Sequence, residues 1–174
     1  VEGLPIPFNP ALRARNPTER PEFEVTRTLH DILLTADRRP QVVDDCQHLI
    51  DEEVAAKNGA SGLLVKSSYK IVKAVRPSMI RDASDSLLGD FVPRLEPFYA
   101  QYCADPAGSS LPEYFAERAE QVADAMLAVT DERAANYDNA TLRKTYEKLR
   151  PQAKKHVEEA VPALSRLIEK YAKM

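Results

Sequence analysis

Asp44 precedes His48 by four residues, and Asp51 and Glu52 follow it by three and four. In a helix that spacing gathers three carboxylates and an imidazole toward one face. Oxygen and imidazole donors of this kind suit a divalent metal, with Asp44, His48 and Glu52 as ligands. One helix fills only part of a coordination sphere, so His30 or the acids Glu117, Glu120 and Asp124 would have to supply the rest. The plainer reading is a wet face beside the apolar residues Val43, Ile50 and Val54. Metal binding is therefore the alternative here, and no cofactor is implied.

Nucleophilic chemistry has weaker support. Cys46 falls on an apolar stripe and reads as a small buried hydrophobe, while Cys103 has no histidine near it in sequence. Two cysteines so far apart form neither a disulfide framework nor a zinc cluster, and they fit a reducing cytoplasm. His156 lies between Ala153 and Val157 on an inner helical face and reads as a core or boundary histidine rather than a base. The five glycines make no phosphate-binding loop. Taken together these leanings are against an enzyme.

Charge is unevenly placed along the chain. The net charge is −3, too small to draw the whole molecule to nucleic acid or anionic lipid. Residues 61–81 nevertheless contain five bases and no acid, whereas residues 82–139 contain twelve acids and three bases. Lys66, Lys70, Lys73 and Arg76 step by four, three and three along one helical face, and Arg81 can extend the ridge. The functional reading is a surface for an acidic or phosphate-bearing partner; the plain one is a solvated face. A second basic run, Arg143 to Lys155, would enlarge the patch if it folded beside the first. Without aromatic interleaving or a helix-turn-helix signature, nucleic acid is disfavoured and another protein is the expected partner.

The elements that must position these residues are helices. Apolar residues recur at helical intervals from Thr26 onward, and prolines and glycines punctuate the joints. The spacing predicts helices over about 27–36, from Pro40 to Asn58-Gly59, from Ser61 to Val75, from Ser78 to Leu88 and from Asp90 to Cys103. Others follow over Pro112–Val129, Thr141–Leu149 and Pro151–Ala172, with Pro97 a break or kink and Pro162 a bend. No alternating run suggests a strand. Residues 1–25 hold five prolines and read as an extended arm whose Leu4, Ile6, Phe8, Leu12 and Phe23 could clasp the domain or a partner. A faint echo links Tyr69 before Arg76-Pro77 with Tyr146 before Arg150-Pro151, more simply coincidence than duplication. No segment is apolar enough to span a bilayer, and the N-terminus lacks the apolar run of a signal peptide.

From about Arg39 to the C-terminus the chain resembles a family of small, uncharacterised helical proteins found in actinobacteria. The likeness is carried by Lys57-Asn58-Gly59-Ala60-Ser61-Gly62, by Leu95-Glu96-Pro97-Phe98, by Val122-Ala123-Asp124-Ala125 and by Tyr146-Glu147-Lys148-Leu149-Arg150-Pro151. That resemblance implies no activity and no catalytic residue. The expected protein is an all-α, irregular bundle of seven or eight helices over residues 26–174, preceded by the arm. Its expected function is a non-enzymatic protein–protein interaction or accessory module. A metal- or small-ligand-binding helical protein is the alternative.

Overall fold

The computed structural model describes residues 27–105, 108–136 and 138–174; the arm expected over 1–25 lies outside them. Among these residues seven helices make up the regular structure: α1 (Leu29–Leu33), α2 (Arg39–Ala56), α3 (Gly59–Val75), α4 (Met79–Ala104), α5 (Leu111–Ala116), α6 (Ala119–Ala135) and α7 (Ala140–Ala172). The described residues contain no strand, as the apolar spacing predicted. Among them no helix is long and apolar enough to cross a membrane.

Local chemistry starts several of these helices. Thr28 and Ser110 each close a capping box, with Asp31 and Glu113 returning hydrogen bonds to the cap backbone. Asn139 caps α7 by accepting from the amides of Thr141 and Leu142. Asn58-Gly59 ends α2 as expected, but α3 restarts at once at Gly59, two residues ahead of the Ser61 start. The first helix is shorter than expected, 29–33 in place of 27–36.

Proline proved a poor guide to where helices stop. The two helices expected over 78–103 form the single α4, which runs through Gly89, Pro93 and Pro97. Likewise α7 passes through Pro151 and Pro162 as one helix of 33 residues. Pro93, Pro97 and Pro151 all lie on exposed faces. A proline removes the bond to the carbonyl four residues earlier, on its own side of the helix, where water can replace it. Burial of the opposite face then keeps the helix continuous. The reverse error occurs at Glu117-Arg118, where the helix expected over 112–129 divides into α5 and α6. There Arg118 stacks on the Tyr114 ring at 3.6 Å and donates to the Tyr114 carbonyl at 3.0 Å.

The long helix α7 is the spine. α5 and α6 pack along it, α4 joins α6 to α2, and α1 wedges against α4 and α7. Leu29, Ile32, Phe115, Val122, Ile168 and Tyr171 are fully buried at the centre. A repeated polar device fastens the helices to one another. In three places a tyrosine hydroxyl and a neighbouring cation share one aspartate on another helix: Tyr69 and Lys73 on Asp51, Tyr146 and Arg150 on Asp131, Tyr171 and Lys170 on Asp45. The tyrosines of the sequence echo are thus used alike, each followed four residues later by the cation.

Candidate functional site

Between α2, α4 and α7 lies a cavity of about 330 Å³. Its walls are apolar faces of these helices. α2 offers Val42, Cys46, Leu49 and Ile50, α4 offers Leu88, Phe91 and Leu95, and α7 offers Val157, Val161, Leu164 and Ile168. Val65 of α3 and Met126 of α6 also line it. The space is partly open to solvent. Its volume lies within the range of pockets that hold small organic ligands.

The lining is almost wholly apolar along its length, with its charged residues at one end. One end is closed by Leu33, Val42, Leu95 and Ile168, each at most 3% exposed. The other carries Glu53 of α2, Lys57 at its C-terminal cap and His156 of α7. From Val42 to Lys57 along α2 is roughly 22 Å, and from Ile168 to His156 along α7 roughly 18 Å, at 1.5 Å per residue. Leu49, Ile50, Leu164 and Leu167 between the two ends are only partly covered.

At the charged end, Lys57 Nζ lies 2.7 Å from Glu159 Oε2 and 3.3 Å from Glu53 Oε2, with 11% of its side chain exposed. Its ammonium holds the Glu159 carboxyl below the ordinary glutamate range. His156 Nδ1 stands 3.5 Å from Glu159 Oε2, and neither ring nitrogen has a hydrogen-bond partner although both are buried.

The backbone that seats Lys57 is the string Lys57 to Gly62 that carries the family likeness. Gly59 adopts φ +73°, a conformation in which a side chain would be strained. At Gly62 a Cβ would meet the backbone carbonyl carbon of Lys57 at 2.7 Å. Only glycine lets α3 fold this tightly over the end of α2, and the turn brings Lys57 to face Glu159.

Twelve residues earlier along α2, Asp45 accepts hydrogen bonds from Tyr171 at 2.7 Å and Lys170 at 2.6 Å. Burial opposes ionisation of Asp45, but these two donors outweigh it and hold the carboxyl below its usual range. Cys46 beside it is unreactive by environment: burial, with Asp45 second, pushes its thiol up to about 11.

The profile of the Family of unknown function (DUF6918) matches residues 29–172, from the first residue of α1 to the last of α7. The chain belongs to the DUF6918 family. The likeness traced from Arg39 onward therefore extends back through α1, and it covers every wall of the cavity. No curated protein and no solved structure matches the chain.

The residues singled out from sequence are placed elsewhere. Asp44, the first metal candidate, accepts from Arg81, the last member of the ridge, at 2.9 Å. His48 and Glu52 are exposed, and Asp51 holds Tyr69 and Lys73. Glu120 and Asp124, the suggested helpers, both hold Lys154. Among the described residues no three histidine, cysteine or acidic side chains converge as a metal site. Within the ridge, Lys73 pairs with Asp51 at 3.5 Å and Arg76 with Asp82 at 2.7 Å. Lys66 and Lys70 alone of the five have no ion-pair partner among the described residues. In the second basic run Arg150 and Lys154 turn toward acids of α6.

Glu53, Lys57 and Glu159 were missed by sequence reasoning. One signal was available: Val42, Cys46, Ile50, Glu53 and Lys57 step by four, four, three and four, so two charged residues continue an apolar stripe.

Proposed function

We propose that this protein binds one elongated aliphatic amphiphile in the cavity, its chain along α2, α4 and α7 and its polar end toward His156 and Lys57. The observation that carries this is the lining, almost wholly apolar along α2, α4 and α7, with Lys57 and His156 among the residues that border it at one end. Burial of a chain there returns the transfer free energy that an empty apolar surface forfeits, about 0.8 kcal/mol per methylene. The reading favours the small-ligand alternative over the accessory-module expectation. It needs no metal and no catalytic step. The two free cysteines support a reducing compartment such as the cytoplasm.

The test is titration of the full chain with twelve-carbon probes ending in a carboxylate, a hydroxyl or an amine, followed by calorimetry. The expected result is saturable one-to-one binding of at least one probe, abolished by Ala160→Phe, which fills the lining. Absence of saturable binding by all three, or binding that survives the filled cavity, would sink the proposal.

A further inference from the structure

Three of the four large hydrophobic side chains exposed among the described residues lie on α3: Leu63 at 68%, Ile71 at 45% and Val75 at 41%. The helix covers the bundle lightly, burying only Gly62 and Ser68, and is held to α2 by the hydrogen bond from Tyr69 to Asp51. Its outer face is thus left to solvent with aliphatic groups on it. At about 100° per residue, Lys66, Lys70, Leu63, Ile71 and Val75 spread over roughly half the circumference, lysines on one flank and aliphatics on the other. Lys66 and Lys70 are the two ridge cations that the fold does not neutralise, and no acid occurs from 61 to 81.

We infer that α3 is an interfacial helix that docks the protein on an anionic bilayer surface. Leu63, Ile71 and Val75 enter the boundary between headgroups and acyl chains, and Lys66 and Lys70 meet the lipid phosphates and carboxylates. A bilayer answers both halves of this face. Nucleic acid answers only the lysines, having no apolar layer for the aliphatics, and no aromatic side chain stands among them to stack on bases. Lys73 borders the strip, its ammonium 3.5 Å from Asp51 and 5.1 Å from the centre of the Tyr69 ring. Docking would bring the charged end of the cavity near the bilayer, because only Asn58 separates Lys57 from α3 and Val65 of α3 lines the cavity wall. The docking itself stands on the outer face of α3 and not on what fills the cavity.

The chain has no tryptophan, so Leu63→Trp installs a single reporter on the docking face. With vesicles of equal phosphatidylglycerol and phosphatidylcholine, the full-length variant should co-sediment and its emission shift to the blue; with phosphatidylcholine alone it should do neither. In the natural sequence Lys66→Gln with Lys70→Gln should lower partitioning onto the anionic vesicles about tenfold or more. Leu63→Ser with Ile71→Ser should also lower it, and circular dichroism should be unchanged in both pairs because these side chains are not core. Failure to bind anionic vesicles overturns the inference, as does binding with unshifted emission or binding insensitive to either pair. Retention by RNA without vesicle binding overturns it in favour of a nucleic-acid surface.

Discussion

Lys57, the C-terminal cap of α2, meets Glu159 of α7 at 2.7 Å, twelve residues along the chain on each side from the point where Tyr171 donates to Asp45 at 2.7 Å. The equal spacing means that α2 and α7 run antiparallel and are fastened at two levels about 18 Å apart. Cys46, Leu49 and Ile50 fall between those fastenings and line the cavity. The apolar space thus lies between two polar clasps.

Removing the clasp at the charged end should cost more than removing one of its acids. Lys57→Met leaves Glu53 and Glu159 facing each other without their shared cation, and a loss of about 1–3 kcal/mol is expected. Glu159→Gln should cost less, since Glu53 remains on Lys57. Urea denaturation of the two single variants and the double variant checks this, and independence of the two losses would show that the pair is not coupled.

Filling the cavity should stabilise the protein. In a packed core a larger side chain costs roughly 1–3 kcal/mol, but Ala160 lines open space. Ala160→Leu should therefore raise stability by about 1–2 kcal/mol from the added buried carbons while weakening probe binding. A fall in melting temperature would mean that the lining is already packed.

Two glycines should respond to alanine with opposite sign. At Gly62 the new Cβ strikes the Lys57 backbone at 2.7 Å, so destabilisation of about 1–3 kcal/mol and weaker probe binding are expected together. At Gly89, inside α4, nothing lies within 4 Å of the new Cβ, and alanine should stabilise by about 0.5–1 kcal/mol through helix propensity. Thermal melts of both variants settle the signs.

The shared tyrosine–aspartate device predicts stability bounded at both ends of the pH scale. The hydrogen bond from Tyr69 holds Asp51 below the ordinary carboxylate range, and that from Arg150 does the same for Asp131. A lowered carboxyl contributes stability that is complete above its unfolded value near 4 and is lost as pH falls through the folded value. On the alkaline side, burial and then Asp131 push the Tyr146 hydroxyl up to about 12, and burial first and Asp45 second raise that of Tyr171 as well. Their contribution is complete below about 10 and is lost as pH rises toward the folded values. Melting temperatures from pH 3 to 11 should be flat in the middle and fall at both limits. Tyr146→Phe should flatten part of the alkaline fall.

How far the sequence alone reached follows from the range of the forces involved. Helical class, the core stripes of α2 and α7 and the stop at Asn58-Gly59 rest on periodicity and capping, which act within a few residues and can be read one segment at a time. Proline is a weak stop signal, because its cost depends on whether the freed carbonyl faces water, and at Pro93, Pro97 and Pro151 that side of the helix is exposed. Local spacing also nominated Asp44 for a metal and Arg81 for a partner. Only packing could reveal that the two neutralise each other at 2.9 Å, from helices 37 residues apart in sequence. The cavity is decided at the same level. A stripe such as Val42, Cys46 and Ile50 says that a helix has an inner face, whereas the distance to the facing helix depends on clasps made across more than a hundred residues, Lys57 to Glu159 and Asp45 to Tyr171.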